Sequence, residues 1–87
     1  MKISQNFVLR QVADTWVILP VGDVIADFDH MMTLNEIGAA IWRQLDEGYT
    51  KEQIAKNISS EYDVSYDQAL EDVEKFVSKL VNFGCLE

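Results

Sequence analysis

Residues 33–48 of the chain read TLNEIGAAIWRQLDEG and predict an amphipathic helix with a defined start and end. Asn35 is a favourable N-cap, because its side-chain oxygen can accept a hydrogen bond from an unpaired N–H of the first turn. Gly48 can adopt the left-handed conformation that ends a helix. Apolar side chains recur at helical spacing and form one face, namely Ile37, Ala40, Ile41 and Leu45, widened by Trp42. We expect Ile41 and Trp42 to lie in the core, where an N-terminal half made of strands meets a C-terminal half made of helices.

The residues before this helix predict short strands. Phe7–Val12, residues 16–20 and residues 24–28 are rich in β-branched and aromatic side chains and are separated by turn-forming residues. Pro20 marks a strand end or an edge, because it cannot donate a backbone hydrogen bond. Residues 31–34 (MMTL) form a last extended segment that leads into the helix. The pattern leaves open whether the last two segments form a hairpin or one bent strand.

Two further helices follow, and each begins with a capping-box pattern. Thr50 with Gln53 opens the second helix, and Ser65 with Gln68 opens the third. The third helix is expected to run to about Phe83, before Gly84. Its core stripe is Ala69, Val73, Phe76, Leu80 and Phe83, and a flanking stripe is Tyr66, Leu70, Val77 and Val81. The flanking stripe either packs within the domain or lines a groove for a partner.

These segments predict one α+β domain over residues 1–87, similar to a winged helix-turn-helix, with a small antiparallel N-terminal β-sheet followed by three α-helices. Winged helices often bind DNA through a basic recognition helix. This chain instead has 15 acidic and 7 basic residues and a net charge of −8. Because such a charge repels a phosphate backbone, we expect no nucleic-acid partner. No apolar run is long enough to span a membrane, and no secretory signal is evident, so we expect a cytoplasmic protein.

The sequence carries no recognisable catalytic or metal-binding pattern. His30 is the only histidine and Cys85 is the only cysteine, and they are far apart in the sequence. Zinc sites usually need three or four ligands of these types. The four glycines are isolated, so no phosphate-binding loop is predicted. We expect no enzyme activity, no metal and no cofactor.

The sequence from residue 33 to the end resembles the PqqD family. The fold of this family is also called the RiPP recognition element, after ribosomally made, post-translationally modified peptides (RiPPs). The resemblance rests on Leu34-Asn35-Glu36, the small residues Gly38-Ala39-Ala40, Ile41-Trp42 and Asp46-Glu47-Gly48. It continues in the helix from Thr50, in Tyr62-Asp63-Val64, and in the helix that contains Asp72, Val73, Phe76 and Leu80.

This resemblance implies a peptide chaperone. Such proteins bind the leader segment of a ribosomally made precursor peptide as an added strand and present the peptide to a modifying enzyme, often a radical S-adenosylmethionine (SAM) enzyme. The implied peptide-binding residues lie in the last extended segment (Met31, Met32, Thr33 and Leu34) and on the third helix (Leu70, Val73, Val77 and Val81). The alternatives are a winged-helix regulator that binds nucleic acid and a protein–protein adaptor with another target.

Overall fold

The computed structural model describes residues 2–21 and 32–86. The elements are β1 (Phe7–Val12), β2 (Thr15–Pro20), β3 (Met32–Leu34), α1 (Glu36–Asp46), α2 (Lys51–Glu61) and α3 (Tyr66–Phe83). The predicted α+β architecture, an antiparallel sheet followed by three helices, is confirmed. The strand predicted over residues 24–28 lies outside the described residues, as does Met31. Among the described helices, none is both long and apolar enough to cross a membrane.

The sheet has the strand order β1-β2-β3, and both pairings are antiparallel. β1 and β2 form a hairpin in which Phe7 lies opposite Pro20 and Val12 lies opposite Thr15. The tight turn between them places Ala13 at φ 57°, a left-handed conformation that such hairpin turns require. Directly opposed residues share one face of a sheet, so the register fixes which side chains point toward the helices.

Helix α1 begins and ends as its sequence predicts. The Asn35 side chain accepts a hydrogen bond of 2.8 Å from the Gly38 backbone N–H. Gly48 has φ 94° just after the helix. Six α1 residues are buried: Gly38, Ala39, Ala40, Ile41, Trp42 and Leu45. On the solvent side, the Arg43 guanidinium lies 4.9 Å from the centroid of the Trp16 ring, so a cation–π contact also connects α1 to β2.

Only one of the two predicted capping boxes forms completely. At α2, Gln53 N–H donates to Thr50 Oγ1, and Thr50 N–H donates to Gln53 Oε1. At α3, Gln68 N–H donates to Ser65 Oγ at 3.2 Å, but the Gln68 side chain donates to Asp72 Oδ1 instead of accepting from Ser65. The prediction of a second box was therefore wrong for its reciprocal half, because a carboxylate one turn along the helix accepts from the same amide. Gly84 ends α3 in the left-handed conformation that the sequence predicts.

The N-terminal segment is attached to the end of α3. Ile3 and Leu86 form an antiparallel bridge, and Ser4 N–H donates to the Cys85 carbonyl at 2.7 Å. The Phe7 and Phe83 rings lie 5.9 Å apart in a tilted arrangement. These contacts bring the beginning of β1 and the end of α3 into one hydrophobic core.

Trp42 provides a test of that core. It is 4% exposed and belongs to the main hydrophobic cluster, as the sequence predicts. We expect Trp42→Ala to lower the free energy of unfolding by about 3–5 kcal/mol, because it removes buried surface and leaves a cavity. Trp42→Phe, which keeps an aromatic ring, should cost less. Denaturant unfolding of both variants checks this, and equal midpoints for Trp42→Ala and the wild type would contradict it.

Candidate functional site

Within the described part of the chain, β3 lies at one edge of the sheet. Met32 lies opposite Ile18, Thr33 opposite Val17 and Leu34 opposite Trp16. Among the residues that the structure describes, β3 pairs with no strand other than β2. An edge strand presents unpaired N–H and C=O groups, to which an extended peptide can add. Met32 and Leu34 are partly buried against the core, whereas Thr33 is exposed.

A groove lies between α1 and α3, at the end of β3. Its volume is about 450 Å³, and it is lined by Asn35, Ile37, Gly38, Ile41, Asp72, Lys75, Phe76 and Lys79. Gly38 brings its walls together, because a Cβ atom at this position would lie 3.3 Å from both Leu34 Cβ and Phe76 Cε2. The apolar part of the groove is therefore continuous with the last residue of β3.

The α3 residues predicted to contact a peptide lie elsewhere. None of Leu70, Val73, Val77 and Val81 lines this groove. Val73 has 0% exposure and Val77 has 8%, whereas Val81 is 58% exposed. Of the two alternatives for the flanking stripe, packing within the domain holds for Val77, because Val77 is part of the core cluster. Contact between a peptide and these four side chains stays a prediction. The α3 residues that line the groove lie on the opposite flank of the helix.

The groove-facing side of α3 carries charges that the sequence analysis did not assign to peptide binding. Lys75 Nζ forms a 3.0 Å ion pair with Glu71. The Lys75 ammonium donates a hydrogen bond to the Glu71 carboxylate, and this bond raises the pKa of Lys75. Asp72 accepts a hydrogen bond from the Gln68 side chain. Lys79, one turn beyond Lys75, forms no ion pair with a described residue. Two lysines four positions apart on an acidic helix were a signal in the sequence that could have indicated this flank.

A second cleft, of about 490 Å³, lies on the other side of α1, against the β1–β2 hairpin. Trp16, Trp42 and Phe7 contribute aromatic surface to it, and Lys2, Arg10, Arg43 and Asp46 contribute charge. None of the residues predicted from the sequence to bind a peptide lines this cleft. β3 and α3 do not contribute to it either, so it is separate from the groove.

Cys85 is the only cysteine of the chain. Cys85 is buried, and desolvation raises the pKa of its thiol to about 11. Because the thiolate is the nucleophile, a buried thiol with this pKa is almost unreactive near neutral pH. Within residues 2–21 and 32–86, no three His, Cys, Asp or Glu side chains are grouped to hold a metal ion. His30 lies outside the described residues.

Comparisons with known proteins agree with this architecture. A family model described as coenzyme PQQ synthesis protein D (PqqD) matches residues 15–86. The chain is similar to a solved structure of TbiB1 in complex with the TbiA(beta) leader peptide, with 31% identity, a TM-score of 0.81, and coverage of 100% of this chain and 95% of that one. It shares its fold with lasso peptide synthetase B1 complexed with the leader peptide, with 22% identity, a TM-score of 0.83, and coverage of 99% and 95%. No curated protein matches the chain significantly.

The burial of Val77 generates a prediction with a matched control. Val77→Asp should lower the free energy of unfolding by roughly 3 kcal/mol or more, because it buries a carboxylate without a partner. Val81→Asp makes the same chemical change one turn further along α3, at an exposed position, and should leave stability within about 0.5 kcal/mol of the wild type. Thermal melts of the two variants measure the difference. Similar losses at both positions would show that Val77 is not more deeply packed than Val81.

Proposed function

This chain belongs to the PqqD family, and from this premise we propose that it binds the leader segment of a ribosomally made precursor peptide and presents that peptide to a modifying enzyme. The observation that carries the proposal is the edge strand β3 lying beside the apolar groove between α1 and α3. Leader peptides are bound to the two similar solved proteins, TbiB1 and lasso peptide synthetase B1.

The edge of β3 supplies the first part of this binding mode. The leader adds as a strand along residues 31–34, including Met31, and forms main-chain hydrogen bonds with the backbone there. Such bonds do not depend on the side chains of the peptide, so they give affinity to many sequences. Each hydrogen bond contributes only about 0.5–1.5 kcal/mol, and several are needed for useful affinity.

The groove supplies the second part. Side chains alternate between the two faces of a strand, so every second residue of the added leader points toward the helices. Ile37 is partly exposed and offers apolar surface to these residues, whereas Ile41 and Phe76 line the groove with the small part of their surface that is not buried. Burying one medium-sized apolar side chain of the peptide contributes about 1.5–3 kcal/mol, so one or two such anchors are enough to select a sequence.

The chemical step belongs to a separate protein in this proposal. The described residues of the chain hold a buried, unreactive thiol and no metal-binding cluster. The chain therefore contributes binding and positioning, and a peptide-modifying enzyme contributes catalysis. We propose that this enzyme is a radical SAM enzyme. We also propose that the complex forms in the cytoplasm, where the precursor is translated.

The experiment first identifies a short precursor gene near the chain's own gene and then uses its leader, with the backbone nitrogens methylated in two complementary sets. Within a strand added to β3, alternate N–H groups point toward β3 and away from it. We expect methylation of the inward set to weaken binding at least tenfold, about 1.4 kcal/mol, and methylation of the outward set to have little effect. Isothermal titration calorimetry measures both peptides against the same protein.

Amide chemical shifts then locate the edge that binds. Shifts at Met32–Leu34 and along the groove support the proposal, whereas shifts confined to Phe7–Val12 would move the peptide to the opposite edge of the sheet. Equal affinities for the two methylated sets would exclude strand addition. No binding of the unmodified leader would contradict the proposed function itself.

A further inference from the structure

Lys79 stands out among the charges of the groove, because its helix offers it no acidic partner. The side chains within one turn of it belong to Lys75, Phe76, Asn82 and Phe83. Lys75, by contrast, is paired with Glu71 one turn away. Lys79 is exposed, and among the described residues no carboxylate lies within ion-pair distance of it.

The position of this charge matters because the chain as a whole is strongly acidic. With 15 acidic residues against 7 basic ones, most surfaces of the protein repel an acidic peptide. The groove is different. Among the described residues, its lining contains Lys75, which is paired with Glu71, Lys79, and a single acidic residue, Asp72, which already accepts a hydrogen bond from Gln68. A carboxylate brought into the groove would meet Lys79 next to the apolar surface of Phe76.

We propose that Lys79 selects leader peptides that carry an aspartate or glutamate two positions away from an apolar anchor residue. This inference rests on the proposed function and adds the chemistry of the ligand to it. Phe76 and Lys79 lie three residues apart on α3, which corresponds to roughly 4.5 Å along the helix. Side chains on one face of a strand are separated by about 6.6 Å, so an apolar residue on Phe76 places its second neighbour within reach of the flexible Lys79 side chain.

The contribution of such a pair is moderate and mainly selective. Ion pairs at exposed positions change an equilibrium by a factor of about five or less, and a reversed charge adds repulsion to the lost attraction. We therefore expect Lys79→Glu to weaken the binding of an acidic leader about five- to tenfold. This loss of affinity should be smaller in high salt. The alternating backbone contacts with β3 should be unaffected, because they do not involve this side chain.

The test is selection of a displayed library of random twelve-residue peptides against three proteins. The first is the wild type, and the second is Lys79→Glu. The third is Lys56→Glu, which makes the same charge change at an exposed position of α2 outside the groove. We expect the wild type and Lys56→Glu to enrich peptides with Asp or Glu two positions from an apolar residue. Lys79→Glu should lose this enrichment and favour Lys or Arg at the same position.

Peptides recovered with the wild type are then titrated against all three proteins. A thermal melt checks that Lys79→Glu is folded, and Lys79→Gln replaces it if the melt shows a folding defect. Enriched peptides without an acidic preference would overturn the role of Lys79 while leaving the proposed function intact. An equal change for Lys56→Glu and Lys79→Glu would also overturn it, since net charge would then be the cause. If the wild type enriches no peptide, both the proposed function and this inference fail.

Discussion

The junction of β3, α1 and α3 is built around Gly38, which has no side chain to keep these elements apart. Gly38 follows the N-cap residue Asn35 by three positions, and its backbone N–H donates a hydrogen bond to the Asn35 side chain. At the same point, Leu34 from β3 and Phe76 from α3 approach to within contact of where a Cβ atom would lie. Glycine inside a helix costs about 0.5–1 kcal/mol relative to alanine. Because Gly38 has no side chain, β3, α1 and α3 can meet at this position.

The parts of the structure that follow from local chemistry could be predicted from the sequence. Asn35, Thr50 and Ser65 each cap the helix that their sequence indicates, because an N-cap needs only a side-chain oxygen and the N–H groups of the next turn. The bounds of β1 were also predicted, since its pattern of side chains and the following turn lie within a few residues of each other. Gln68 shows the limit of such rules, because its side chain donates to Asp72, whereas the capping-box pattern expects it to accept from the Ser65 backbone N–H.

The candidate site was harder to predict, because it depends on which flank of a helix the rest of the chain covers. Periodicity placed Val77 and Phe76 on neighbouring stripes of α3 but did not show what packs on either side. In the structure, α2 packs extensively against α3, and Val77 belongs to the core cluster. The flank that lines the groove carries Lys75 and Lys79 beside Phe76. Whether residues 24–28 form a hairpin with β3 was left open by the sequence, and that segment lies outside the described residues.

The contact between the two ends of the described chain has a consequence for how the protein folds. The bridge of Ile3 with Leu86 and the hydrogen bond from Ser4 to Cys85 join residues that are almost the whole chain apart in sequence. The entropy lost on closing a loop increases with its length, so this contact is the most expensive one to form early. The β1–β2 hairpin and the α2–α3 pair close much shorter loops. This contact should therefore form after the shorter-range ones, and it adds to the mean sequence separation of contacts, which slows folding.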